Sequence, residues 1–194
     1  MLASAGANPA GGRSALAVAV LIAAIAAGSA HAAVTVFGNG LAHDCSEAAF
    51  KGKSDPVSIG ACDSAIENEL MDNKDRAGTY INRGVMYLRL GDMAQARKDF
   101  DESIRVDDKI GEAWINRGAV SVAEKRYADG LSDINHGLEL GVISPEKAYY
   151  NRALAYEGLD DAKSAYLDYQ QALTIKPDWQ LPQQQLLRFT VTRR

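Results

Sequence analysis

The chain has 194 residues, 47% of them hydrophobic and 24% charged, with a formal net charge of −4. That length suits one domain with its own core. The acidic balance, with no Lys/Arg block beyond Arg193–Arg194, excludes the basic footprint of non-specific nucleic-acid binding and disfavours an anionic membrane surface.

In chain order, residues 1–32 read as a leader rather than as fold. Arg13 precedes the apolar run "ALAVAVLIAAIAAG" at 15–28, and Ala30 and Ala32 occupy the small positions of an A-x-A cleavage site. We read 1–32 as a signal peptide cut between Ala32 and Ala33. The alternative is an uncleaved anchor, although the run is shorter than the roughly 20 residues a spanning helix needs. Cleavage leaves 20 basic and 25 acidic residues, a net −5, and implies a periplasmic or secreted protein without stable membrane insertion.

Residues 33–40, "AVTVFGNG", form a short apolar stretch closed by Gly-Asn-Gly, an edge strand or an extended segment. Two helical stretches follow, 41–52 and 59–73, around "KSDP". They hold the only two cysteines, Cys45 and Cys62. An even pair in an oxidising compartment favours a disulfide, whose closed loop would contribute roughly 3 kcal/mol. His43 beside Cys45 offers a metal reading, but such sites need three or four ligands and no second Cys/His cluster exists. A free, reactive Cys45 is the other alternative.

From 77 onward the chain repeats itself. "INRG" stands at 81–84 and 115–118, and "YNRA" at 150–153. Aligned on these, the units are 77–110, 111–144 and 146–179, with the extra residue placed in the loop around Pro145. Each carries an aromatic residue two before Asn (Tyr80, Trp114, Tyr149) and a small one two after it (Gly84, Gly118, Ala153). Each second half has Asp before a large apolar residue: Asp99-Phe100, Asp133-Ile134 and Asp168-Tyr169. Apolar residues recur at helical spacing (Tyr80, Gly84, Tyr87, Leu88), "RLGD" breaks the pattern, and a second helix runs from about Ala94 to Val106. Every unit is therefore helix–turn–helix. Glycine costs about 1 kcal/mol inside a helix, so Gly84, Gly118, Gly130 and Gly137 imply close helix approach.

This pattern resembles the tetratricopeptide repeat. In the first unit Tyr80, Gly84, Tyr87, Gly91, Asp92, Ala96, Phe100 and Ile104 carry the likeness. In the third, Tyr149, Ala153, Tyr156, Ala165, Tyr169, Ala172, Leu173 and Pro177 carry it. The second keeps Trp114, Gly118, Gly130, Ile134 and Leu138. It departs at Ser121 and at Glu124-Lys125-Arg126, which stand where Tyr and the Gly-Asp turn are expected, and so predicts a looser turn. The whole chain also looks like small exported tetratricopeptide proteins of Gram-negative bacteria. The resemblance implies an all-α, right-handed helix–turn–helix solenoid. Residues 33–76 would form a degenerate, disulfide-pinned N-terminal cap. Residues 180–194 would form a C-terminal capping helix and tail, with Leu186, Leu187 and Phe189 turned inward.

The resemblance also implies a groove lined by the first helices. Its candidates are Ile81, Asn82, Val85, Leu88 and Arg89, then Glu112, Ile115, Asn116, Ala119, Val122 and Ala123, then Lys147, Tyr150, Asn151, Leu154 and Glu157. Some members clamp the terminal carboxylates of chaperone tails there. Ile81 and Val85 replace two clamp positions and Asn151 replaces an Arg, so that clamp is incomplete. An apolar groove with an Asn row suits an extended or helical peptide whose backbone amides the Asn side chains bond; the other reading keeps the Asn within the scaffold. Arg83, Arg117 and Arg152 precede Asp99, Asp133 and Asp168 by 16 residues, which predicts a structural ion-pair ladder, within a unit or onto its neighbour; ligand contact is the other reading.

No catalytic constellation, phosphate loop or metal motif is visible. We expect no enzyme activity, no cofactor and no metal. The expected role is a periplasmic scaffold or adaptor binding a protein or peptide. A self-associating module, a broad-specificity holdase and a thiol-dependent enzyme are the other readings, with a monomer or weak self-association expected.

Overall fold

The computed structural model describes residues 2–5, 32–36 and 40–192. The apolar run at 15–28 lies outside the described residues. Among the described residues, no helix is long and apolar enough to cross a membrane.

Nine helices occur among the described residues: α1 (Leu41–Phe50), α2 (Pro56–Asn68), α3 (Asn73–Leu90), α4 (Met93–Val106), α5 (Gly111–Ala123), α6 (Tyr127–Leu140), α7 (Pro145–Gly158), α8 (Ala162–Ile175) and α9 (Gln180–Leu186). The first eight pack as antiparallel pairs, α1 with α2, α3 with α4, α5 with α6 and α7 with α8, and each pair packs on the next in a solenoid. Leu2–Ala5 (β1) and Phe189–Thr192 (β2) form an antiparallel two-stranded ribbon, with Leu2 opposite Thr192 and Ala5 opposite Phe189. The stretch expected as a C-terminal tail thus contains a strand.

Local chemistry sets the helix ends. Asp55 accepts from the N–H groups of Val57 and Ser58 ahead of Pro56, the first residue of α2. This joins a side-chain cap to a proline whose missing N–H costs nothing there. Asp72 caps α3 by accepting from Asp75 N–H at 2.8 Å. The second cap helix therefore stops at Asn68, short of the 59–73 stretch, and α3 begins one turn ahead of the repeat boundary at 77.

The turns between paired helices are equivalent in all three units. Gly91, Lys125 and Asp160 have φ of +79°, +63° and +60°. The next N–H then reaches back to a carbonyl five residues earlier: Asp92 to Tyr87 at 2.9 Å, Arg126 to Ser121 at 2.8 Å and Asp161 to Tyr156 at 2.9 Å. These are the bonds of the left-handed helix stop. The looser turn expected for unit two is absent. The backbone path is kept, and Lys125 is held in a region that glycine enters more cheaply.

Glycines set the distance between α5 and α6. A Cβ on Gly118 would lie 2.9 Å from the Gly130 carbonyl oxygen, and one on Gly137 would lie 2.7 Å from that of Gly111. In α3, a Cβ on Gly84 would meet the Phe100 ring at 2.6 Å. Four buried apolar clusters result among the described residues. Ile81, Val85, Leu88, Ala96 and Phe100 fill the first unit. Tyr150, Tyr169 and Trp179 anchor the last, where the Tyr150 and Trp179 rings lie 5.0 Å apart. At the C-terminus Leu187 is 86% exposed while Gln185 is buried. The expectation of an inward Leu187 is corrected because α9 ends at Leu186, one residue too early to turn 187 inward. Leu186 and Phe189 are partly buried against the last core.

A candidate peptide-binding groove

The first helices of successive pairs, α1, α3, α5 and α7, lie side by side. Three of them, α1, α3 and α5, are crossed on their shared face by the chain itself. Residues 32–36, Ala-Ala-Val-Thr-Val, run extended across it from α5 through α3 to α1. Asn82 accepts from Val34 N–H at 2.8 Å and donates to Val34 C=O at 2.8 Å. Asn116 does the same for Ala32, at 3.3 and 3.0 Å. Ser46 on α1 completes the row: its Oγ accepts from Val36 N–H at 3.2 Å and donates to Val34 C=O at 3.1 Å. His43 Nδ1 lies 3.2 Å from Val36 O.

A primary amide offers one acceptor and two donors, so it can satisfy both backbone groups of one residue as a neighbouring strand would. Asn82 and Asn116 sit on consecutive units and meet residues two apart, matching the two-residue period of extended chain. Ala32, Val34 and Val36 are buried at 5%, 8% and 1%, while Thr35 is exposed. Ala33 turns the other way, toward the cluster of Cys45, Cys62 and Met86. Asn151 is buried on α7, one unit further along the row.

The other groove candidates divide into several groups. Ile81, Val85, Leu88, Ile115, Val122 and Leu154 are buried in the cores between helices. Ala119 is buried on α5, and Ala123 is partly buried against the core of the first unit. Tyr150 packs on Tyr169 and Trp179, and burial pushes its phenol up to about 12. Two candidates hold the scaffold rather than a groove. Glu112 accepts from Ile143 N–H at 2.8 Å and so pins the loop ahead of α7. Glu157 is held by Arg188 at 2.6 Å and by the Tyr169 hydroxyl. Lys147 and Arg89 are partly buried, and burial lowers both pKa values. The charges of Lys176 and Arg89 lower that of Lys147 further, against Glu146. That end of the face is cationic.

The arginines point into the scaffold. Arg83 forks onto Asp99 at 2.9 and 2.7 Å, Arg117 onto Asp133 at 2.8 and 2.7 Å, and Arg152 onto Asp168 at 2.7 and 2.9 Å. The third guanidinium nitrogen bonds the preceding pair's second helix: Asp63 at 2.6 Å, Asp101 at 3.0 Å and Asn135 at 2.9 Å. Each guanidinium also lies over the aromatic residue three before it, Tyr80 at 5.6 Å, Trp114 at 4.7 Å and Tyr149 at 5.2 Å. Hydrogen bonding to Asp133 raises the Arg117 pKa against the cost of burial. Burial pushes the Asp99 carboxyl up while the Arg83 fork pulls it down; the two-bond geometry is that of an ionised pair. The sequence offers a pair within the unit or onto its neighbour; the structure makes both at once, and Asp63, Asp101 and Asn135 as the second partners went unnamed. Their cue was the acidic or amide residue on each preceding second helix.

Cys45 and Cys62 are joined in a disulfide with Cα atoms 4.9 Å apart, both fully buried. It pins α1, which carries Ser46, to α2. Among the described residues no group of three His, Cys, Asp or Glu side chains could hold a metal ion.

Known proteins resemble these units. The tetratricopeptide repeat family profile matches residues 77–110 and 146–178. The middle unit, with the Ser121 and Glu-Lys-Arg departures, falls outside the match. Mouse sperm-associated antigen 1 is 33% identical over 101 residues, 48% of this chain, and human superkiller complex protein 3 is 29% identical over 112 residues, 55% of this chain. The alignments span only 11% and 7% of those two proteins. Among solved structures, that of MamA superposes with a TM-score of 0.58 at 19% identity, covering 73% of this chain and 80% of that one. The first tetratricopeptide domain of Spaghetti (RPAP3), bound to the HSP90 peptide SRMEEVD, superposes at 0.55 with 24% identity, covering 61% and 94%. At these identities the likeness establishes the fold.

Proposed function

From a chain whose residues 77–110 and 146–178 match the tetratricopeptide repeat profile, we propose a non-enzymatic adaptor, working in the periplasm or outside the cell, that holds an extended protein segment against the face of α1, α3 and α5. One observation carries this reading. Asn82 and Asn116 each make a two-bond pair with extended backbone lying on that face. A site that bonds the main chain accepts many sequences, and inward side chains set the preference.

The related fold with the HSP90 peptide supports peptide binding in general. Terminal-carboxylate capture has less support here, because Ile81 and Val85 lie in the core and bring no cation or amide to the face. The leader-like 1–32 stretch and the Cys45–Cys62 disulfide support the extracytoplasmic location.

Panning a displayed random-peptide library against the full chain tests the binding reading. Recovered peptides should bind the wild type and lose at least tenfold in affinity with Asn116→Ala. Binding indifferent to Asn82→Ala and Asn116→Ala would overturn it. Cell fractionation and N-terminal sequencing test the location; a cytoplasmic chain with reduced cysteines would reject it.

A further inference from the structure

We infer that residues 32–36 are an exchangeable occupant of the groove. The segment they give way to is an extended apolar strand with a small residue facing Asn116 and β-branched residues two and four positions on. This rests on the peptide-binding reading above and specifies its ligand.

The occupant is held as a ligand would be. The N–H groups of Ala32, Val34 and Val36 and the C=O groups of Ala32 and Val34 are bonded by the side chains of Asn116, Asn82 and Ser46. No backbone–backbone hydrogen bond ties 32–36 to the rest of the described chain. A segment without ladder bonds of its own belongs to the part of a fold that opens locally at least cost. The contacts that hold it depend on main chain that every extended peptide shares.

The side-chain preference follows from the walls. Gly78 of α3 faces residues 32–36, the strap: a Cβ there would lie 3.2 Å from Val36 Cγ2 and 3.4 Å from Val34 Cγ1. The glycine therefore makes room for branched side chains at those two places. Val34 joins the first unit's core, and Val36 packs with Ala42 and Ala65. A charged residue at either place would be buried among these apolar side chains. Thr35, pointing out, leaves its position open to any residue.

The test is fluorescence anisotropy with labelled acetyl-Ala-Ala-Val-Thr-Val-amide on two full-length chains, wild type and Val34→Pro. Proline keeps the extended path but removes the N–H that bonds Asn82, and it leaves every groove residue unchanged. The variant should bind the peptide at least tenfold more tightly than the wild type. Asp at the third peptide position should abolish that gain, and so should Asn116→Ala in the Val34→Pro background. Equal binding by both chains would overturn the exchange, and indifference to the third position would overturn the preference. Displacement of the peptide by unlabelled wild-type chain, with a wild-type dimer in sedimentation, would assign the groove to a second copy instead. If Val34→Pro does not fold, Val34→Ser carries the same comparison with a smaller gain. A folded variant that ignores this peptide sinks the inference. Library peptides lost with Asn116→Ala would still leave the general binding reading standing.

Discussion

At the level of single residues, the three arginines show how one side chain serves two neighbours. Arg117 is 22% exposed, forks onto Asp133 within its unit and reaches Asp101 of the unit before. Arg117→Ala would strand a largely buried Asp133 carboxylate, at a cost of about 2–3 kcal/mol after discounting for partial exposure. We expect a clear drop in melting temperature and no change in peptide affinity; an unchanged melt with lost binding would move Arg117 into the binding site. Arg117→Lys should recover only part of the loss, because an ammonium cannot fork. Lys125 gives the opposite case. It occupies the left-handed turn position that glycine fills in unit one. Lys125→Gly should raise stability by up to about 1 kcal/mol in urea unfolding, and a loss would mean the lysine side chain contributes contacts that outweigh its strain.

At the level of elements, the two ends of the solenoid are closed by different means. The N-terminal pair α1–α2 is held by the disulfide. A Cys45→Ala/Cys62→Ala chain should lose roughly 3 kcal/mol on the loop-entropy account, checked by chemical denaturation. The C-terminal pair is closed by aromatic packing of Tyr150, Tyr169 and Trp179. Burial pushes the Tyr150 phenol up to about 12 and that of Tyr169 well above its ordinary value, whereas an unfolded tyrosine ionises near 10. The unfolded state then loses protons first. Stability should be intact below pH ~10 and fall as the pH rises through roughly 10–12. Melting temperature against pH, followed together with tyrosinate absorbance, checks this. Early titration of all tyrosines with no loss of stability would contradict it.

In the whole molecule, the strap joins the N-terminal region to the groove. The peptide bond between Ala32 and Ala33, where the leader reading places cleavage, lies within the strap. Cutting there would remove the Ala32 pair on Asn116 and keep the Val34 pair on Asn82. We expect the processed chain to take the labelled peptide more tightly than the uncut one, as titration of both forms would show. Much of this organisation was legible in the residues. The 34-residue step, the Asn-Arg-small triplets and the constant 16-residue Arg–Asp offset all reflect contacts between neighbours on one helix pair, and local periodicity records such contacts directly. The Asn row is visible in the residues, but that Asn82 and Asn116 bond the chain's own residues 32–36 is not. Other features were decided only in the tertiary structure. Glu112 and Glu157 hold the scaffold because a loop N–H and an arginine from other elements reach them. Leu187 is exposed because α9 stops before it, and the Lys125 turn keeps its path because the flanking helices impose it. The groove's occupant is the clearest such case. Asn116 and Ala32 are separated by 84 positions, and no repeat unit carries a record of a partner that lies outside the repeat.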